Sequence, residues 1–324
     1  YLLMPIFIRL MEKYKILDSS GGRKIHKGYT AHMGGVVIFI AFVIALFSCI
    51  LQLMTEINML QFISFIVLLF LVVILGIRDD MNSLSPKVKL LCEITIGFLF
   101  CCLDIRLYSF YGLFGVEELP IWLSYVLTIA FMIVVCNAYN LIDGIDGQAG
   151  TQGLAVFIFL VIFIANILQE DGTLNNDTFF ASSTFWLTVY IAIIGSIIGF
   201  LIFNWQPAKI FMGDTGSLML GGIIGVTAVL IRKELLIPIL CGVFFAESVS
   251  VLMQRFYFKY TKKKYGEGKR IFKMAPLHHH YQKEGIPALI QRPKVALPEA
   301  KIVTRFWIVG MILAVITIAL LKIR

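Results

Sequence analysis

Long apolar spans follow one another along almost the whole chain, and they restrict its fold more than any other feature. Several approach the roughly 17–25 residues that a helix needs to cross the hydrocarbon core of a membrane. Residues 1–11 look like the end of one further helix whose beginning is missing. The other spans lie at 34–54, 61–77, 88–104, 121–136, 151–168, 185–203, 216–231, 235–254 and 302–321. We therefore predict an all-α, polytopic integral membrane protein with about ten transmembrane helices.

The composition favours one membrane-embedded unit over separate soluble domains. Hydrophobic residues make up 59% of the 324 residues, the mean hydropathy is +0.88, and charged residues account for only 15%. An average soluble domain contains about 25% charged residues. We treat residues 1–324 as a single domain with a truncated first helix. The six cysteines lie within apolar stretches, and we interpret them as small buried hydrophobic residues.

Basic residues lie almost entirely on one side of the predicted bundle. Alternating connections place 12–33, 78–87, 137–150, 204–215 and 255–301 on that side. Of the 28 Lys and Arg residues, the exceptions are Arg106, Arg232, Lys233, Lys322 and Arg324. The positive-inside rule makes this side cytoplasmic. We read the net charge of +8 as an orientation signal and an attraction to anionic lipid, and we predict no nucleic-acid binding.

Carboxylates are concentrated in three loops of the same side. Asp79 and Asp80 end one span, the motif Asn-Leu-Ile-Asp-Gly-Ile-Asp-Gly at 140–147 follows another, and Phe-Met-Gly-Asp-Thr-Gly-Ser at 211–217 precedes a third. Carboxylates grouped at a membrane surface suggest a divalent cation and a phosphate-bearing substrate. In the Asp79-Asp80 pair, one carboxylate can bind metal while the other accepts a proton. A solvated helix end is the alternative interpretation.

The motif at 140–147 is the more specific signal. Asn140, Asp143 and Asp146 lie among glycines, which let the backbone come close to a ligand. Their side chains can pair with a base edge, a sugar hydroxyl or a metal. A calcium loop would need acids at alternating positions and a final Glu, which this segment lacks. A capped turn is the structural alternative.

Asp214 lies where the next helix is expected to begin. It could cap that helix, with Ser217 in the first turn, while the backbone N–H groups face a phosphate. Capping and magnesium binding compete for this one carboxylate, and we favour the metal. Glu93 and Glu247 fall inside spans, where a carboxylate is a functional candidate unless a packing partner explains it.

The long loop 255–301 is predicted to be a cytoplasmic substrate loop, because such length inside a compact protein usually indicates function. It contains His278, His279 and His280. Successive side chains on a helix point about 100° apart, so the three cannot all reach one ion. We expect one or two of them to contact phosphate or sugar.

Together, these motifs resemble the polyprenyl-phosphate N-acetylhexosamine-1-phosphate transferase superfamily. The Asp pair, the Asn/Asp/Gly loop, the Phe-Met-Gly-Asp-x-Gly-Ser loop and the His cluster occur in that family's order, and the resemblance runs from Arg23 to Arg324. It implies a magnesium-dependent site, in which manganese can substitute, facing the cytoplasm of a bacterial inner membrane. It also implies transfer of a sugar-1-phosphate from a UDP-sugar to undecaprenyl phosphate, with release of UMP. A homodimer is left open.

Two donor sugars compete within this superfamily. The motif Arg-Lys-Ile-His at 23–26 and the context of Asp79-Asp80 resemble enzymes that use UDP-GlcNAc. Met-Ala-Pro-Leu-His-His-His at 274–280 and Arg-Phe-Trp at 305–307 look more like phospho-N-acetylmuramoyl-pentapeptide transferase, which makes lipid I. The segment Ile286–Ala300 looks inserted relative to that enzyme. We predict UDP-GlcNAc as the donor and keep the muramoyl-pentapeptide nucleotide as the alternative.

The resemblance also implies a role for each candidate residue. Asp214 is expected to be the main magnesium ligand, helped by Asp79 or Asp80, and Asp79 to deprotonate or orient the lipid phosphate. Asn140, Asp143 and Asp146 are expected to hold the nucleotide, with Asn204 near the diphosphate. Lys89, His278, His279 and His280 are expected to contact phosphate or sugar. A transporter would place its acids near midspan, and a scaffold would not need three acidic loops on one face.

Overall fold

Every apolar span forms a helix in the computed structural model, which describes residues 1–19, 29–53, 59–110, 116–170 and 183–321. The motif at 23–26 and residues 171–182 of an outer loop lie outside these ranges. The helices are α1 (Leu3–Lys13), α2 (Gly34–Leu53), α3 (Met59–Met81), α4 (Pro86–Cys102), α5 (Ile121–Ile142), α6 (Gln148–Glu170), α7 (Ser183–Asn204), α8 (Gly213–Leu230), α9 (Ile237–Leu240), α10 (Gly242–Tyr265), α11 (Leu277–Gln282) and α12 (Glu299–Leu321). The all-α class is therefore confirmed.

Six of the described helices are long and apolar enough to cross a membrane: α3, α5, α6, α7, α8 and α12. The span predicted at 235–254 is broken, because a 3-10 turn at Glu234–Leu236 and α9 meet α10 at an angle of 79°. Counted as one span, this pair is the seventh. Of the remaining helices, α1 has 11 residues and α4 has 17, and α4 also carries Lys87, Lys89 and Glu93. The protein is a multi-pass membrane protein.

Helix α8 lies at the centre of the bundle. Of its 18 residues, all but Asp214 and Leu230 are buried. It packs against α2, α3 and α5, while α6 packs against α7 and α12. Small residues allow this close packing: a Cβ on Gly35 would lie 2.0 Å from the backbone nitrogen of Gly216, and a Cβ on Gly76 would lie 2.4 Å from Cα of Thr215.

Local signals explain where several helices begin and end. Ser85 accepts a hydrogen bond from the Val88 N–H and Pro86 occupies the first turn, so α4 has a regular capped start. Helix α10 ends at Gly266, which adopts a left-handed conformation with φ of 77° after a run of lysines. Near the amino terminus a small antiparallel hairpin pairs β1 (Leu17–Ser19) with β2 (Tyr29–Ala31). Ala31 also bridges to Ile210, which brings this hairpin to the end of the bundle where α8 begins.

The close approach of α2 to α8 leads to a stability prediction. Gly35→Ala should lower the melting temperature in detergent, since overpacking at a tight backbone contact costs about 1–3 kcal/mol. Gly195→Ala on α7 is the matched control, because nothing lies within 4 Å of its Cβ position. An equal melting temperature for the two variants would contradict the α2–α8 packing.

Candidate active site

The three acidic motifs meet at one end of the bundle, as their placement on one side predicted. Lys89, near the start of α4, joins two of them: its Nζ lies 2.8 Å from Oδ2 of Asp79 and 2.5 Å from Oδ2 of Asp214. Asn140 completes the group by donating to Oδ1 of Asp214 at 2.7 Å and to Ser217 at 2.9 Å. We call Asp79, Lys89, Asn140 and Asp214 the carboxylate–lysine cluster. It combines residues from α3, α4, α5 and α8.

Asp80 has a different environment from its neighbour Asp79. Its Oδ1 accepts a hydrogen bond from the Asp214 N–H at 2.8 Å. Its Oδ2 accepts from the N–H of Thr215 at 3.0 Å and from the hydroxyl of Thr215 at 2.6 Å. Its side chain is only 3% exposed. Asp80 therefore caps α8 from another helix. The metal-binding role expected for it from the sequence stays a prediction.

The backbone N–H groups of the first three residues of α8 all have protein partners, so none of the three is available to a phosphate. The Gly213 N–H donates to Oδ2 of Asp143 at 3.1 Å, and the next two backbone N–H groups donate to Asp80. Gly213 has a φ of 75°, and a Cβ there would lie 2.6 Å from Asp80, so glycine is required. The expected phosphate contact at this helix end is corrected: two aspartates occupy it, and they leave Asp214 free of the capping role.

Asp146 and Asn204 hold the connection between α7 and α8. Asp146 accepts from the Ala208 N–H at 2.9 Å. Asn204 accepts from the Gly147 N–H at 3.0 Å and donates to the carbonyl of Ile210 at 2.8 Å. Both residues are buried. The nucleotide and diphosphate roles assigned to them stay predictions, and the contacts seen here are those that position the two loops.

His278 connects the long loop to the rest of the site. Its backbone N–H donates to Oε1 of Glu247 at 3.1 Å, and its Nδ1 lies 3.2 Å from the same oxygen. Both side chains are almost fully buried, which supplies the packing partner that the Glu247 carboxylate needs. A Cβ on Gly144 would lie 2.2 Å from Nε2 of His278. The imidazole therefore packs directly against the Asn/Asp/Gly motif.

His280 ties together two parts of the loop. Its Nδ1 accepts from the Lys273 N–H at 3.0 Å, so Nε2 carries the proton that is donated to the carbonyl of Arg292 at 2.7 Å. Burial lowers the pKa of His280. His279 pairs instead with Gln282 at 2.7 Å. The three histidines have separate partners, in agreement with the helical argument that they cannot share one ion.

Sequence reasoning missed several partners in this region. Glu93 was a candidate, but its partner Asn137, which donates to both of its oxygens at 3.0 Å, was not recognised. Glu299 accepts from Gln206 at 3.1 Å and from Gln282 at 2.9 Å. No sequence signal connects residues so far apart. A polar residue inside an apolar span, such as Asn137, was the only clue available.

The residues of the cluster fit a hard divalent cation. Asp79 and Asp214 direct carboxylate oxygens at one point, which the ammonium of Lys89 occupies, so the protein has already built a place for positive charge. The described residues contain no group of three or more His, Cys, Asp or Glu side chains arranged to hold an ion by themselves. An ion here would need oxygens from its substrates as well, as magnesium sites with phosphate substrates commonly do.

Comparison with known proteins identifies the family. A model described as glycosyl transferase family 4 matches residues 62–232. The chain belongs to this family. A relative from Wolbachia sp. subsp. Drosophila simulans, named phospho-N-acetylmuramoyl-pentapeptide-transferase, is 37% identical over 99% of this chain and 95% of its own length.

Other relatives carry the same name. That of Parabacteroides distasonis is 53% identical over 64% of this chain and 51% of its own length, and that of Porphyromonas gingivalis is 49% identical over 63% and 50%. In these two alignments, the chain spans about half the length of the relative. These findings correct the donor prediction: UDP-GlcNAc, favoured from residues 23–26 and 79–90, was wrong. The His-cluster motif at 274–280 was the better guide.

The different environments of Asp79 and Asp80 lead to a prediction. Asp80→Asn should lower the melting temperature in detergent more than Asp79→Asn does. One amide oxygen cannot serve three donors, and an unsatisfied buried group costs about 1–3 kcal/mol. In Asp79→Asn the new amide would keep an oxygen for the Leu84 N–H, and Lys89 would keep its second partner, Asp214. A larger loss for Asp79→Asn would show that the capping interpretation is wrong.

The lowered pKa of His280 leads to the prediction that the stability of the loop depends on pH. Its folded-state pKa lies below the usual value of about 6.5, so between those two values the unfolded loop binds more protons. Stability is therefore complete above about pH 6.5 and decreases as the pH falls. Hydrogen-exchange protection of the Lys273 amide should decrease from about pH 7.5 to 5.5. His280→Asn keeps an acceptor but does not titrate, and its protection should stay constant; a constant value in the wild type would refute the assignment.

Proposed function

We propose that this protein transfers phospho-N-acetylmuramoyl-pentapeptide from its UDP-linked nucleotide to undecaprenyl phosphate, releasing UMP and forming lipid I. The observation that carries the proposal is the carboxylate–lysine cluster in a chain whose near full-length relative bears that activity in its name. An oxygen of the lipid phosphate attacks the sugar-linked phosphorus of the nucleotide. The bond from that phosphorus to the bridging oxygen breaks, and the bridging oxygen leaves with UMP.

The cluster is suited to bringing two anionic substrates together. Lys89 is held between two carboxylates and can shift its three donors toward a phosphate when one arrives. Asp79 and Asp214 would hold magnesium, which neutralises the diphosphate and stabilises the leaving group. Asn140 and Ser217 fix the orientation of the Asp214 carboxylate. Such positioning and charge screening provide most of the catalysis in phosphoryl transfer.

Asp79 is the proposed group that orients the lipid phosphate, since it lies at the end of α3, which packs against α8. Asn140, Asp143 and Asp146 are the proposed nucleotide residues, and His278 and His279 the proposed sugar or phosphate contacts. His280 has both ring nitrogens engaged within the loop, so its proposed part is to position that loop. The site would face the cytoplasm of a bacterial inner membrane, as the distribution of basic residues indicates.

The metal proposal is tested with Asp214→Asn. This variant should lose about a hundred- to a thousandfold in turnover, comparable to the loss of one electrostatic stabiliser, while it stays folded in detergent. Chelator should silence the wild type, and magnesium or manganese should restore it. Full activity in excess chelator would exclude the metal.

The donor is tested by offering two labelled nucleotides, UDP-N-acetylmuramoyl-pentapeptide and UDP-GlcNAc, side by side with undecaprenyl phosphate. We expect a lipid-linked product only from the first. Asp214→Asn serves as the inactive control in both reactions. Product from UDP-GlcNAc alone would refute the proposed function.

A further inference from the structure

A cavity of about 510 Å³ opens beside α10, and none of its lining residues belongs to the carboxylate–lysine cluster. Its lining includes three cations, Arg255, Lys259 and Arg270, and no acidic residue; the remaining lining residues are Val251, Gln254, Phe258, Met274 and Ala275. None of the ion pairs among the described residues involves these cations. A concave site with three uncompensated positive charges favours an anionic ligand.

The wall of this cavity is held firmly. Oε1 of Gln254 accepts from the N–H groups of Ile271 and Phe272, both at 3.0 Å, and its Nε2 donates to the carbonyl of Phe272 at 3.1 Å. The ring of Phe258 lies against Gly268, where an added Cβ would be 2.4 Å from it. These contacts fix the loop segment that carries Arg270 against the helix that carries the other two cations. The three cations therefore surround a preformed space.

Helix α10 gives the distance between the Asn/Asp/Gly motif at 140–147 and the cations of the cavity. Glu247 holds His278, whose ring packs against Gly144, and this marks the inner end. Arg255 and Lys259 follow Glu247 by eight and twelve residues. At 1.5 Å per residue they lie about 12 and 18 Å further along the helix axis. An extended pentapeptide spans roughly 17 Å, whereas a bare N-acetylhexosamine could not reach.

We infer that Arg255, Lys259 and Arg270 bind the terminal carboxylate of the donor's peptide arm and so select the muramoyl-pentapeptide nucleotide. The inference rests on the proposed function. A muramoyl-linked peptide is joined through its amino end, so a carboxylate is left at its far end. The negative charge of that carboxylate is complementary to the three cations of the cavity. The length of the peptide agrees with the distance between the motif at 140–147 and these cations.

The test replaces two of the cations with neutral residues. Arg255→Gln/Lys259→Gln should raise KM for UDP-N-acetylmuramoyl-pentapeptide roughly three- to tenfold, the factor expected for two exposed charge pairs, with kcat unchanged. Lys264→Gln is the matched control. It lies nine residues after Arg255, about 180° around the helix, and its Nζ contacts Tyr260. Its KM should equal that of the wild type.

A donor whose peptide ends in a carboxamide tests whether the cations recognise the negative charge of the carboxylate, because a carboxamide has nearly the same shape but no charge. With the wild type its KM should rise by at least the factor seen for the double variant, since Arg270 also loses its partner. The double variant should add no further loss with this donor, because the interaction is already absent. A further loss of equal size would overturn the inference, since the two cations would then act independently of the carboxylate.

An anionic lipid headgroup could also enter such a cavity, and lipid composition distinguishes it. The assays are repeated in micelles of phosphatidylcholine alone and with phosphatidylglycerol added. An effect of the double variant that requires phosphatidylglycerol and ignores the carboxamide would assign the cavity to lipid and overturn the inference. A wild type that transfers no muramoyl-pentapeptide would refute the proposed function itself. A wild type that does so, with an unchanged KM in the double variant, would refute only the peptide site.

Discussion

The hydrogen bonds at the amino terminus of α8 are the interaction on which the rest of the site depends. Buried N–H groups need partners, and each one left without a partner costs about 1–3 kcal/mol. Asp80 from α3 and Asp143 from the end of α5 supply those partners. The same bonds fix the ends of three helices relative to each other. Three members of the carboxylate–lysine cluster, Asp79, Asn140 and Asp214, each lie within three residues of one of these capping contacts. Helix capping therefore positions the cluster.

Lys89 explains how so many carboxylates can lie together. Asp79 and Asp214 would repel each other at this distance without a positive charge between them. The ammonium of Lys89 bonds to both, and it is placed there because α4 starts at a Ser85 cap directly after α3 ends. A lysine can release one partner without changing its charge. It can therefore hold the two carboxylates together and, in the proposed reaction, still turn toward a substrate phosphate.

Much of this arrangement could be predicted from the sequence. Apolar spans predicted the long helices but not the short α11, which lies in the loop 255–301. Alternation of the loops predicted that Asp79, Asn140 and Asp214 would share one end. The sequence pattern could not assign different roles to Asp79 and Asp80. The two residues are identical and adjacent, and they differ only in the groups that they contact in the folded protein. Nor could it find the break before α10, since an apolar run reads the same whether straight or bent by 79°. The donor was predicted wrongly because the motifs at 23–26 and 79–90 were given more weight than the His-cluster motif at 274–280.

The loop 266–298 is closed largely by contacts among its own residues. Phe272 bridges Ile290, Lys273 reaches the carbonyl of Pro293, and His280 holds Arg292. Residues 286–298 of the segment that looks inserted thus fold back on the loop, and its last two residues begin α12. Its length can change over evolution without displacing a membrane helix. In the proposed function this loop contacts the donor, so residues that select the sugar nucleotide can vary without disturbing the capped helix ends that hold the carboxylate–lysine cluster.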